Sequence, residues 1–165
     1  MRYFYRALSI LRILIGAVFL FMGIQKLSDP DFLYGGLMHT LEGLGQPWPF
    51  YQGFLARFVE LHQTFFTFTF SCGEILLGVS FLLGALVSIS SVGGAVLLVN
   101  VALATSYAAP ERLAVHLCGA ALLLLMGRMG VGLCWGLDGW LVDRIAPVAV
   151  LFPLRLSVPT SLKSH

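Results

Sequence analysis

Residues 65–87 read FFTFTFSCGEILLGVSFLLGALV, an apolar run holding one charged side chain, Glu74. About 20 predominantly apolar residues suffice to cross a bilayer, so the run predicts a membrane-spanning helix with a carboxylate near its centre. Placing that carboxylate in hydrocarbon costs roughly 2.5–3.5 kcal/mol on insertion scales, so Glu74 is expected to face the protein interior and to have a partner.

Composition agrees with this reading. The 165 residues are 58% hydrophobic and 11% charged, where soluble domains carry about 25% charge. The mean hydropathy is +0.90. A net charge of +2, scattered along the chain, argues against a nucleic-acid partner. Cys72, Cys118 and Cys134 show neither a C-x-x-C motif nor zinc-site spacing. There is no internal repeat and no low-complexity tract, and the length fits a single membrane domain over 1–165.

Upstream, Arg2 and Arg6 precede an apolar run that ends at Gln25-Lys26 without a small-x-small cleavage site, so a retained first span is expected at about 7–27. Arg12 falls inside it and is expected to snorkel to the near headgroups. Arg12, Phe19 and Lys26 recur every seven residues and share one helix face. Residues 28–64 form the one long connection, rich in turn chemistry such as Asp29-Pro30 and Pro47-Trp48-Pro49. From Phe50 onward Phe50, Phe54, Phe58 and Leu61 fall at helical spacing, with Tyr51, Leu55 and Val59 widening the face. This predicts a helix in the membrane interface.

Downstream of the second span (65–87), Ser88-Ile89-Ser90 is expected to turn the chain into a third span over 91–108. Pro110 is expected to open a fourth over 111–127. The glycine- and tryptophan-rich residues 129–140 are expected to leave the bilayer, with a short helix near 137–145. The remainder of a surface tail over 129–165 includes an apolar stretch at 148–156. The fold class is therefore all-α, an integral membrane four-helix bundle with an interfacial helix in its long first loop. Seven of the arginines and lysines fall on the side of both termini and three on the other, so both termini are expected in the cytoplasm; the membrane itself is expected to be a bacterial inner membrane.

Counted from the loop side, Glu74 and Asn100 come to nearly the same depth, His116 lies about five residues in, and Tyr107 and Gln25-Lys26 lie near the outer end. These residues predict a polar pocket in the outer half of the bundle, beneath the long loop. Each also has a purely structural reading. Glu74 would then fix helix register through Asn100 or Lys26, His116 would be a satisfied packing histidine, and Asn100 would be interhelical glue. Lys26 would simply snorkel. Cys72 and Cys118 come out at similar depth, where buried thiols ordinarily pack as small hydrophobes. Gly16 and Gly23, and Gly73, Gly78 and Gly84, are expected to permit close helix packing.

Leu11-Arg12-Ile13-Leu14-Ile15-Gly16 and then Gly23-Ile24-Gln25-Lys26-Leu27 resemble the opening of DoxX-like membrane proteins. So do Gly73-Glu74 with Gly78 and Leu82-Leu83-Gly84. The close, Gly130-Val131-Gly132 with Leu137-Asp138, is similar too, although Trp135-Gly136 stands where that family tends to have serine. The resemblance implies a four-helix membrane bundle, and for some members a subunit of a quinone-linked redox complex. Carried over by position, Lys26 and Glu74 match the family's polar positions.

The chain is accordingly expected to be at most a subunit of a membrane oxidoreductase, with Glu74 and Lys26 catalytic and Gln25, Asn100, Tyr107 and His116 lining a quinone pocket. No flavin, haem or iron–sulfur motif is present, so no intrinsic cofactor is expected and partner subunits would carry the electrons. The alternative is a non-catalytic accessory or scaffold subunit of a larger membrane assembly, with bound lipid or pigment. A transporter is disfavoured by the lack of an inverted repeat.

Overall fold

Backbone N–H and C=O groups in hydrocarbon must be satisfied within the chain, and here the apolar runs do so as helices. The computed structural model describes residues 2–145, 150, 153 and 154. Among them are seven α-helices and no strand. They are α1 (Arg2–Ser28), α2 (Leu37–Leu44), α3 (Pro49–Phe54), α4 (Gln63–Leu83), α5 (Val87–Thr105), α6 (Pro110–Met129) and α7 (Leu137–Arg144). Four helical stretches are long and apolar enough to cross a membrane: Tyr3–Ser28, Pro49–Leu83, Val87–Thr105 and Pro110–Met129.

Two boundaries differ from the sequence reading. The helix expected in the long loop does not lie apart from the second span. A π-helical turn at Leu55–Val59 and a 3-10 turn at Glu60–His62 carry α3 into α4, with a bend at His62 (φ −128°, ψ 38°). The face that reaches the interior is Leu55 and Val59, both buried, while Phe50, Phe58 and Leu61 lie exposed on the outside. The second difference is the α4–α5 turn, which falls at residues 84–86 and not at Ser88–Ser90. Gly84 adopts φ 66° and closes α4, a left-handed conformation that glycine takes without a Cβ penalty. The serines then begin α5, with Ser88 and Ser91 buried.

The bundle is two tightly packed pairs, α1 with α4 and α5 with α6, joined mainly through α4 and α5. Small residues let the first pair approach closely. A Cβ on Gly78 would lie 2.5 Å from Leu20 N, and one on Gly16 would lie 2.9 Å from the Phe81 Cβ. Gly23 meets Ser71 and Ile75 in the same way, whereas Gly73 has only Leu97 near it. The pairs converge at the 84–86 end on Phe81, Val87, Leu123, Met126 and Val131. At the other end Leu37, Leu55, Val59 and Ala104 form a second cluster beneath α2 and α3. Between the two clusters the pairs stand apart. Residues 130–138 are only partly on the surface: Gly130, Val131, Gly132 and Asp138 are buried, while Trp135 and Leu137 are exposed. Most of the apolar stretch 148–156 lies outside the described residues.

Candidate functional site

The converging end is locked by a polar knot centred on Arg12. This side chain does not snorkel to headgroups; it is fully buried. Its Nη2 donates to the Trp135 carbonyl at 2.8 Å and its Nη1 to the Val131 carbonyl at 3.4 Å. The guanidinium packs against Gly84 and Gly136, where any Cβ would collide with it. Asp138 completes the knot. Its Oδ1 accepts from the Leu86 N–H at 2.6 Å and its Oδ2 from the Val87 N–H at 3.1 Å. Leu86 sits at φ 54° and has no capping side chain, so Asp138 supplies the N-terminal cap of α5 from elsewhere in the chain. Burial pushes the Asp138 carboxyl above the ordinary aspartate range, against the two backbone N–H groups and the nearby Arg12 charge, which pull it down.

At the other end, the space between the helix pairs is a cavity of about 1000 Å³. Its lining is mostly apolar: Leu14, Val18, Phe19 and Met22 from α1, Leu97 and Val101 from α5, Leu122 and Leu123 from α6, with Leu41 and Leu55 above. Polar side chains enter it at few points, among them Lys26, Tyr51, Glu74, Asn100 and His116.

Glu74 is 2% exposed on α4, and Lys26 reaches it from the end of α1 with Nζ 2.5 Å from Oε1. The heptad stripe of Arg12, Phe19 and Lys26 explains this reach, since it turns Lys26 inward. The ammonium also lies 4.7 Å from the centroid of the Phe70 ring. The second carboxylate oxygen, Oε2, is buried without a hydrogen-bond partner among the described residues; so are Thr67 Oγ1 and Ser71 Oγ on the same helix.

The other sequence-derived candidates divide. His116 is half-buried in the lining, and its Nδ1 lies 2.8 Å from the Arg112 carbonyl. A carbonyl only accepts, so Nδ1 carries the proton, and in the neutral ring Nε2 is left as an acceptor. Asn100 is already committed: its Oδ1 accepts from the Tyr51 hydroxyl at 2.7 Å and its Nδ2 donates to the Val96 carbonyl at 2.8 Å. Gln25 is exposed and outside the lining, because one residue turns the helix by about 100° from Lys26. Tyr107 is also outside: it lies seven residues beyond Asn100, but α5 ends at Thr105, so the helix face that carries Gly93 and Asn100 into the lining stops before it. Its ring instead meets Trp48 edge-on at 5.4 Å. The three cysteines are free thiols.

The loop is tied down over this end. The Trp48 N–H donates to the Leu103 carbonyl at 2.9 Å and the Tyr107 N–H to the Gln46 carbonyl at 3.0 Å. Tyr51 is the lining residue that the sequence reading gave only an interfacial role; its one signal is its place between Phe50 and Phe54, on the same face as Leu55.

The sequence model of the DoxX family matches residues 7–108. The chain belongs to the DoxX family. No curated protein and no solved structure matches it. The DoxX match spans α1 to α5 and so contains Arg12, Lys26, Glu74 and Asn100, while His116 and Asp138 lie beyond it. Together with the four apolar helical stretches, it makes this DoxX chain an integral membrane protein in contact with lipid.

Proposed function

We propose that this DoxX-family protein is the membrane subunit of a quinone-linked redox complex, and that the cavity between its helix pairs receives the quinone. The observation that carries the reading is an apolar cavity of about 1000 Å³ with a buried ion pair, Lys26–Glu74, in its wall. Small-molecule sites have this character: apolar walls with a few placed polar groups. The residues fit a quinone in a specific way. The apolar walls suit a ring and tail, the remaining Lys26 N–H groups suit a carbonyl oxygen, and the unpartnered Glu74 Oε2 is a place to hold a proton. A quinone contributes two-electron, two-proton redox chemistry when bound. The chain's own part is to orient the head group through Lys26, to hold or relay a proton at Glu74, and to exclude water. Electrons come from a partner subunit.

A second reading, an accessory or scaffold subunit, is favoured by one observation. Phe50, Phe58 and Leu61 form an outward aromatic and aliphatic stripe beside the loop, suited to a neighbouring subunit or to lipid. Glu74→Gln separates the two. It keeps shape and hydrogen bonding but removes the titrating charge. Under the redox reading, the native complex purifies in normal yield but quinone turnover falls, since a positioned proton-transfer group contributes about 10²–10⁴-fold. Full turnover in Glu74→Gln would sink the redox role and leave the scaffold standing.

A further inference from the structure

The cavity is shut on most sides by contacts that can be named. Its floor is the cluster of Phe81, Leu123 and Met126, against which Ile15 and Phe19 of α1 pack. Its roof is the cluster of Leu37, Leu55, Val59 and Ala104, with the loop tied down above by the backbone bonds of Trp48 and Tyr107. Around the bundle, α1 and α4 meet along their glycines, and Leu98 lies over Gly119 between α5 and α6. The α4–α5 seam is bridged at successive levels by Leu77 on Gly93, Leu97 beside Gly73, and the Tyr51 hydroxyl on Asn100.

The fourth seam differs. Among the described residues α1 and α6 barely touch. Leu14, Val18 and Met22 on α1 and Leu122 on α6 both line the cavity and lie exposed. The three α1 residues recur every fourth position and make one edge, roughly 12 Å long for a helix. No Asp, Glu, Lys or Arg stands between Arg12 and Lys26 on α1, or between Arg112 and Arg128 on α6. An apolar chain crosses such an edge without loss of hydration, whereas a polar solute would shed its water with no hydrogen bond in return.

We infer that the α1–α6 seam is the portal of the cavity. A membrane-resident quinone enters from the bilayer between Val18 and Leu122, carries its head group up to Lys26, and leaves its apolar chain lying through the seam against lipid. This rests on the quinone-class reading above and adds the route and the need for a chain.

The test uses the full-length chain in lipid nanodiscs. The probe is a fully substituted benzoquinone whose alkyl chain carries a diazirine midway, photolysed with and without excess decyl-substituted benzoquinone, and the labelled residues are mapped by mass spectrometry. Labelling that the competitor removes is expected on α1 around Val18 and on α6 around Leu122. Val18→Trp with Leu122→Trp, which fills the seam, is expected to abolish it. Phe21→Trp, on α1 but exposed outside the lining, is expected to leave it unchanged. Competed labelling on the covering loop or on α4 and α5 in place of the seam overturns the portal and leaves the quinone-class reading intact, as does full labelling in the seam-filled variant. Rapid disulfide formation between two copies carrying Val18→Cys, with the native cysteines replaced, would show the seam filled by a second chain and overturn the portal too. Absence of competed labelling anywhere in the chain overturns the quinone-class reading itself.

Discussion

Removing Lys26 alone would leave the Glu74 carboxylate buried with no partner among the described residues. Breaking a buried pair from one side typically costs about 3–5 kcal/mol, whereas replacing both partners is often close to neutral. Lys26→Met is therefore expected to lower the thermal stability of the purified protein sharply, and Lys26→Met with Glu74→Gln to recover most of the loss. Absence of recovery in the double variant would mean that the two side chains do not interact. Asp138 poses the same kind of question at the other end. It accepts from the Leu86 and Val87 N–H groups, which have no capping side chain of their own. Asp138→Ala orphans both donors beside a buried Arg12 and should cost about 3 kcal/mol or more. Asp138→Asn keeps one acceptor and should cost visibly less. A melt of Asp138→Ala matching the unaltered protein would refute the cap.

At the scale of elements, α1 and α4 are held at a distance only glycine allows. A Cβ at Gly78 meets the Leu20 backbone itself, which cannot swing aside as a side chain can. Gly78→Leu is expected to abolish accumulation of folded protein. Gly93→Ala, whose nearest neighbour is a Leu77 methyl at 3.6 Å, is expected to be tolerated. Expression yield and gel-filtration profile report both. The four helices were legible because long apolar runs with few charges have one stable backbone form in lipid. Their ends were less so. The serines at 88 and 90 looked like a turn, but Gly84 could take positive φ, and the cap came from Asp138, 52 residues from Leu86. The same distance in sequence hid the fate of Arg12. Its carbonyl partners at Val131 and Trp135 lie on a loop whose path no local pattern reveals, so snorkelling was the only local solution. Lys26 and Glu74 could be placed at compatible depths by counting residues along helices. Gln25 and Tyr107 failed the same count because depth alone ignores direction around the helix and where the helix ends.

For the whole molecule, the structure changes the charge tally on which orientation rests. Arg12 is buried in the knot and Lys26 is paired to Glu74, so neither is a free interfacial cation. Setting both aside leaves six arginines and lysines on the side of the termini against Arg57 and Arg112 on the other. The bias survives, and it is the arginines and lysines in the segments flanking the spans that orient a membrane protein. The knotted end is thus expected at the cytoplasmic face and the cavity with its covering loop at the opposite one. Glu42 is exposed on α2, away from the Trp48–Tyr51 contacts, and offers a clean reporter. In a background with Cys72, Cys118 and Cys134 replaced, Glu42→Cys should react with a membrane-impermeant maleimide on intact cells. A cysteine at Trp140 or Asp143 on α7 should react only after permeabilisation. The reverse pattern would invert the molecule, and with it the face from which protons reach Glu74.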